Sequence, residues 1–380
     1  MKQNFCDMSQ NKIFYFKVIL KCTIIIITIL FLYIFKNKAF DIHRNKGENI
    51  KRKKIGIIGL NHHYNAGNMI LKYAMATKLK QIGFDPYIIG VASGKINISF
   101  LSQFINIRIT KNFSDIKPHE YDILMVNSDQ TWRIWNKKYY LHIGFLKFAQ
   151  NWNIKKFVYG ASIGNNNAYI PSNILKEAKL LIKNFSGFSV RENGTIPLIK
   201  KYFDINPLFV LDPTLLIDKN DYLKLILYYK CDFDINKKYI CNYNLRNKGE
   251  MNIFLNKSSK NLNFSIFSFD TKKKDFIQRF IYCIYNSKAV ITDSYHGTIF
   301  SIIFNKPFIS FQNYVHDERF NSLNEIFSIR NRIIKNKEKP NISLLTTPLN
   351  INYDKFNKMR NISNNFLEEQ LCFLLLKKTK

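Results

Sequence analysis

From residue 54 onward the chain alternates short apolar runs, polar loops and helix-length segments. Lys54 to Leu60 (KIGIIGL) is a short apolar run that ends in the loop NHHYNAGN, residues 61–68. Met69 to Ile82 then places Leu71, Ala74, Met75, Leu79 and Ile82 on one helical face, and Gly83 closes the helix. Further buried strands are predicted at Tyr87–Val91, Tyr121–Val126, Phe157–Ala161, Phe188–Val190 and Leu208–Leu211, with a helix over Ile174–Phe185. A second series runs through strands Tyr239–Tyr243 and Phe264–Phe269, a helix Asp275–Asn286, and a strand Ala289–Thr292. It continues with a helix Gly297–Asn305 and a strand Pro307–Phe311, and a last helix is expected over Tyr353–Lys377. Strands that are apolar throughout and separated by helices mean parallel sheets covered on both faces.

The reading is therefore an α/β protein of two doubly wound, Rossmann-like domains. Residues 51–222 and 238–345 form them, 219–237 link them, and 350–380 supply a C-terminal helix. Such domains leave a cleft at the carboxyl ends of their strands, where α/β proteins place ligands.

The N-terminus reads differently. Residues 22–35, CTIIIITILFLYIF, carry no charge, and including 18–21 extends the apolar stretch to the length of a short membrane helix. No small-residue cleavage site follows, so residues 1–50 are read as a tail, an anchor helix at about 18–35 and a basic linker. Lys2, Lys12, Lys17 and Lys21 precede the apolar stretch. Lys36, Lys38, Arg44, Lys46, Lys51, Arg52, Lys53 and Lys54 follow it. That bias predicts a single-pass membrane protein with its catalytic domain on the cytoplasmic side.

Composition adds a charge. The 380 residues hold 58 Lys and Arg against 27 Asp and Glu, a net +31, which invites a nucleic-acid reading. Only 11 of the cations are arginine, the residue suited to bidentate phosphate and base contacts, so no nucleic-acid partner is expected. Cys6, Cys22, Cys231, Cys241, Cys283 and Cys372 are scattered without a CxxC pair, so they are expected to be free thiols in a reducing compartment.

Candidate chemistry falls at the strand ends. Asn65, Gly67 and Asn68 lie where a loop runs into a helix, whose N-terminal amides attract anions. The loop has neither GxGxxG nor a P-loop lysine. NSDQTW follows the strand at 121–126. There Asp129 either orients a sugar hydroxyl, acts as a base, or merely caps a helix, and Gln130 stands beside it. Ser162 belongs to GASIG, whose small residues permit close backbone approach. Arg191 follows the strand at 188–190, placed to meet a carboxylate or phosphate, and Glu192 adjoins it. In the second series ITDSYHGT brings Asp293, Ser294, His296, Gly297 and Thr298 to a strand-to-helix junction.

Taken in order, YNAGNMILKYAMATKLKQIG, SDQTW, GASIG, FSVRENG, VLDPTLL and ITDSYHGTIFSIIFNKPF resemble the polysaccharide pyruvyl transferase family across residues 53–330. The resemblance implies a GT-B-like arrangement of the two domains. It implies a reaction that joins pyruvate, as a ketal, to two hydroxyls of a sugar in a cell-surface polysaccharide or its lipid-linked precursor. Phosphoenolpyruvate is then the donor and co-substrate, with no cofactor and no metal. His296 matches the family histidine taken as general acid or donor contact, and Arg191 an arginine expected to bind the donor. Ser294, Gly297 and Thr298 join the donor site. Asp129 or Glu192 takes a hydroxyl proton, and Asn65, Gly67, Asn68, Gln130, Ser162 and Asp293 line the acceptor side or cleft. Several family members carry an arginine where this chain has Ser294, so that contact is either missing or supplied by Lys306 or Arg319. The competing readings are a GT-B glycosyltransferase with a nucleotide-sugar donor and a family member that binds glycans without turnover.

Overall fold

The structure, a computed structural model, describes residues 52–60, 65–91, 100–133, 139–164, 167–234, 236–246, 249–268, 273–312, 317–335 and 338–376. The apolar segment at 18–35 lies outside them. Among the described residues no helix is long and apolar enough to cross a membrane.

Among the described residues, twelve strands build two sheets. Strands β1 (Lys54–Ile58), β2 (Asp85–Val91), β3 (Asn106–Thr110), β4 (Ile123–Val126), β5 (Lys155–Ala161), β6 (Gly187–Val190) and β7 (Leu208–Phe209) form the first, in the order β3-β2-β1-β4-β5-β6-β7. Strands β8 (Tyr239–Tyr243), β9 (Ser265–Ser268), β10 (Ala289–Thr292), β11 (Phe308–Phe311) and β12 (Ile333–Ile334) form the second, in the order β12-β11-β10-β8-β9. Every pairing is parallel. The apolar runs explain this: Ile123 to Val126 and Ala289 to Thr292 are buried at every position, as strands with helices on both faces must be. The sequence pattern missed β3, an edge strand whose NIRIT leaves most positions partly exposed, and β12, which has only two residues.

The helices are α1 (Ala66–Gln81), α2 (Tyr139–Gly144), α3 (Ser172–Ile182), α4 (Ile196–Phe203), α5 (Lys219–Leu223), α6 (Gly249–Leu262), α7 (Phe276–Asn286), α8 (Tyr295–Ile303), α9 (Glu318–Phe327) and α10 (Tyr353–Leu376). Helix α1 starts three residues before the apolar pattern does, capped by Asn65, whose side chain accepts the Asn68 amide at 3.3 Å. It is buried on all sides from Ala66 to Ala76, because it packs against the first sheet on one side and against α7 and α8 on the other. Gly83 ends it at φ +96°. One apolar cluster accordingly runs from Ile55, Met69 and Tyr73 through Tyr159 and Val210 to Tyr239, Phe280 and Phe300. Helix α10 returns to the first sheet. Phe366 packs on Phe157 and Tyr159, and the Ser363 hydroxyl accepts the Leu211 amide at 2.8 Å.

The cysteines require a correction. Cys241 on β8 and Cys283 on α7 are joined in a disulfide across 42 residues of sequence, where free thiols were expected. The strand and its covering helix bring the two to a Cα separation of 5.7 Å, an approach their spacing along the chain does not reveal. Among the described residues, Cys231 and Cys372 are outside any disulfide.

Candidate functional site

The carboxyl ends of β4, β5 and β6 and the segment after β7 meet the start of α8 from the second sheet. Arg191, the residue after β6, is the centre of this junction. Its side chain is wholly buried, and each guanidinium nitrogen meets a different carboxylate. Nε donates to Glu192 at 3.1 Å, Nη1 to Asp212 at 2.6 Å and Nη2 to Asp129 at 3.1 Å. The fork and its charge are therefore spent on the protein's own acids. Burial alone would lower the Arg191 guanidinium, but Asp212 and Asp129 hold it well above its ordinary range.

Each acid has its own surroundings. Asp129 sits at φ +95°, a region that costs a non-glycine residue about 1–3 kcal/mol. The conformation is held by its carbonyl, which accepts the Thr131 amide at 2.6 Å and the Ser162 amide at 2.9 Å. Its carboxylate also accepts Asn68 Nδ2 at 2.6 Å. For Asp212, burial pushes the carboxyl up, yet His296, Arg191 and Thr214 together hold it well below the usual carboxylate range. Glu192 goes the other way: burial raises it to about 7 against the opposing pull of Arg191, Ser162 and Arg319. Its Oε2 is buried without a hydrogen-bond partner.

His296 is the second residue of α8. Its Nε2 lies 3.7 Å from Asp212 Oδ2, beyond hydrogen-bond distance, and has no other partner. The imidazole packs against the α1 backbone at Gly67, where any Cβ would overlap the ring. That contact explains a glycine inside a helix and fixes the second sheet's histidine against the first sheet's helix. Tyr295, before it, is buried with the Arg191 guanidinium 5.0 Å and the Arg319 guanidinium 5.6 Å from its ring centroid. Arg319 also grips Asp317 with two hydrogen bonds, at 2.8 and 2.6 Å.

Of the residues proposed from sequence, Gly67, Asn68, Asp129, Arg191, Glu192 and His296 come together here. Ser162 also reaches Glu192, and the others serve the framework around them. Asn65 caps α1, and the Ser294 hydroxyl caps α8 by accepting the Gly297 amide at 3.3 Å. Gly297 lies where a Cβ would overlap Thr292. Thr298 shares a hydrogen bond of 2.7 Å with Ser310 in the core. Both Asp293 oxygens accept loop amides, from Leu245 at 2.7 Å and Arg246 at 3.1 Å. Gln130 accepts from Arg133 at 3.1 Å, and the Ser162 hydroxyl accepts the Gly164 amide at 3.1 Å. Of the two substitutes considered for the arginine absent at Ser294, Arg319 lies at the site. Lys306 stands over Tyr285, past the other end of α8.

Residue-by-residue reading missed four participants. Asp212 lies inside VLDPTLL, an apolar run broken by Asp-Pro, which was the available signal. Tyr295 and Asn127 fall within motifs already noted but carry no charge that marked them. Lys72 is one turn along α1 from Asn68. Burial lowers its ammonium to about 8, opposed by Asp129.

A model of the polysaccharide pyruvyl transferase family matches residues 65–314, more than half of the chain, from the start of α1 past the end of β11. The chain belongs to the polysaccharide pyruvyl transferase family. Membership makes it a transferase, with pyruvyl transfer as its activity. No curated protein matches the pyruvyl transferase chain in sequence. Among solved structures, UDP-GlcNAc 2-epimerase from Neisseria meningitidis bound to UDP-GlcNAc is 14% identical, covering 83% of this chain and 100% of its own, with a TM-score of 0.53. The UDP-GlcNAc 2-epimerase of Methanocaldococcus jannaschii gives the same identity and score over 83% and 99%. A putative UDP-N-acetylglucosamine 2-epimerase from Listeria monocytogenes is 11% identical over 85% and 97%, with a TM-score of 0.50. These likenesses establish the shared fold alone, parallel α/β sheets in a GT-B-like arrangement.

Proposed function

We propose that this pyruvyl transferase takes phosphoenolpyruvate as donor and builds a pyruvate ketal on two hydroxyls of a sugar. The sugar belongs to a cell-surface polysaccharide or its lipid-linked precursor. The observation that carries the reading is the meeting of His296, from the second sheet, with Asp212, Arg191 and Asp129 of the first. Protonation of the donor's methylene carbon makes C2 electrophilic, and one sugar hydroxyl adds there. The second hydroxyl then displaces phosphate from the same carbon and closes the ketal, so one phosphate leaves for each ketal formed. His296 supplies the first proton, a role that contributes about 10²–10⁴-fold. Glu192 or Asp129 accepts the hydroxyl protons.

Arg191 holds the carboxylates in place, and the donor's anionic groups meet the first-turn amides of α8 and the edge of Arg319. On this reading the apolar segment at 18–35 anchors the enzyme, with its basic flank and catalytic part on the cytoplasmic side where lipid-linked acceptors are built. Incubating the purified chain with phosphoenolpyruvate and glycan acceptors tests the proposal. Phosphate release together with a mass gain on the acceptor is expected, both lost in His296→Ala. Stabilisation by UDP-N-acetylglucosamine, the ligand of the Neisseria neighbour, without phosphate release from phosphoenolpyruvate would overturn it.

A further inference from the structure

The reaction scheme leaves one buried polar side chain at the junction unused. Asn127 is 1% exposed, and neither its Nδ2 nor its Oδ1 has a hydrogen-bond partner. The fold draws on its backbone only, whose amide donates to the Ile58 carbonyl at 2.8 Å. Its successor is engaged by contrast: the Ser128 hydroxyl donates to the Gly160 carbonyl at 2.7 Å. A buried amide whose donor and acceptor are both unmet is costly, and such groups in native proteins call for a reason.

Position supplies the reason. Asn127 is the first residue beyond β4, and Gly59 is the first beyond β1; a Cβ at Gly59 would lie 3.6 Å from the Asn127 Cβ. Strands β1 and β4 are neighbours in the order β3-β2-β1-β4-β5. There the strand order reverses, opening the crevice that doubly wound sheets use for ligands. Strand alternation puts Asn127 on the face of Ile123 and Met125, which pack into the cluster shared with α1 and the second sheet. Glu192 Oε2 and His296 Nε2 at this junction are likewise without a hydrogen-bond partner.

The chemistry of the amide narrows the ligand. A carboxamide offers a donor and an acceptor side by side, and both are satisfied only by groups that donate as well as accept. A phosphate or carboxylate meets Nδ2 but opposes Oδ1. Resting on the pyruvyl transfer proposed above, we infer that Asn127 binds hydroxyls of the sugar acceptor, at the β1–β4 crevice, and takes no part in binding the anionic donor.

The test uses the full-length protein, its Asn127→Leu and Asn127→Ala variants, and p-nitrophenyl glycosides of glucose, galactose, mannose and N-acetylglucosamine. Calorimetry gives the affinity for each glycoside and for phosphoenolpyruvate, and a thermal melt gives the stability of the free proteins. Both variants should lose at least tenfold affinity for the glycoside that the wild type binds best. Affinity for phosphoenolpyruvate should stay within twofold, and Asn127→Leu should melt at or above the wild-type temperature. Unchanged glycoside affinity, a melting temperature lowered in both variants, or no glycoside binding by the wild type would each overturn the inference, the last meaning that the amide meets water only. Selective loss of glycoside binding without phosphate release from phosphoenolpyruvate would sink the donor assignment and leave Asn127 as a sugar contact.

Discussion

Replacing Glu192 by Gln separates burial from ion pairing at the centre of the site. Glu192 is completely buried, and burial raises its carboxyl from 4.5 to about 7 despite the adjacent Arg191. The folded protein therefore binds a proton more tightly than the unfolded chain between about pH 4.5 and 7. Stability falls as pH rises through that window, because the folded state must release a proton it holds strongly. At about 1.4 kcal/mol per pKa unit, the full effect is on the order of 3 kcal/mol above pH 8. Glutamine has the shape of the protonated acid and cannot ionise, so Glu192→Gln should match the wild type near pH 4.5 and exceed it by about 3 kcal/mol at pH 8. Urea denaturation at pH 5, 6, 7 and 8 and constant ionic strength measures the difference. A gap that does not change with pH, or a variant less stable than the wild type at pH 8, would show that the carboxylate form is welcome there and refute the reasoning.

Three further outcomes follow from the same contacts. Gly67→Ala puts a methyl group into the His296 ring and should cost about 1–3 kcal/mol along with pyruvyl transfer. Combining it with His296→Ala should recover the stability but not the turnover, as a double-mutant cycle by urea denaturation will read. Arg191→Met strands three carboxylates and should destabilise by about 3–5 kcal/mol at pH 8, with a smaller loss at pH 5; an equal loss at both values would place the effect in packing instead. Opening the Cys241–Cys283 disulfide with reductant, or replacing both by Ala, should lower stability by about 4 kcal/mol on a chain-entropy estimate for the loop it closes. An unchanged denaturation midpoint would count against the crosslink.

Much of the fold was legible because parallel strands are buried on both faces and so appear as unbroken apolar runs. Tyr239–Tyr243 and Ala289–Thr292 were located to the residue, and the polar clusters behind the runs mark the carboxyl ends of the sheet. Helix α1 was legible in its body but not at its start, since Ala66, Gly67 and Asn68 belong to no apolar face. They are helical because Asn65 caps them and because Gly67 must admit a ring from a residue far away in sequence. Arg191 is legible as a candidate donor contact, whereas the structure shows its guanidinium paired with three acids of the protein. Its three partners lie 1, 21 and 62 residues away, and nothing in local sequence couples those distances. The same holds for the disulfide, which depends on a strand and a helix meeting across the second sheet. Periodicity reports which face of an element is buried, whereas side-chain chemistry at a strand end depends on which ends converge.

The convergence also changes what the positive charge can mean. The chain carries +31, yet the site is not a cationic funnel. Arg191 is matched by three acids and Arg319 by Asp317, while Lys72 is drawn toward Asp129 and its ammonium lowered by burial. Four acids and three basic side chains leave little surplus positive charge for the anionic donor proposed above. On that proposal, anion binding here draws on groups that carry no net charge of their own, chiefly the first-turn amides of α8, whose helix dipole favours negative charge. The Ser294 hydroxyl caps α8 by taking the Gly297 amide, which gives a serine at that position a structural role. The lysine excess then lies outside this junction, which is a nearly neutral, buried set of paired groups. In such a set the protonation of Glu192, at about 7, alters the local balance by a full unit.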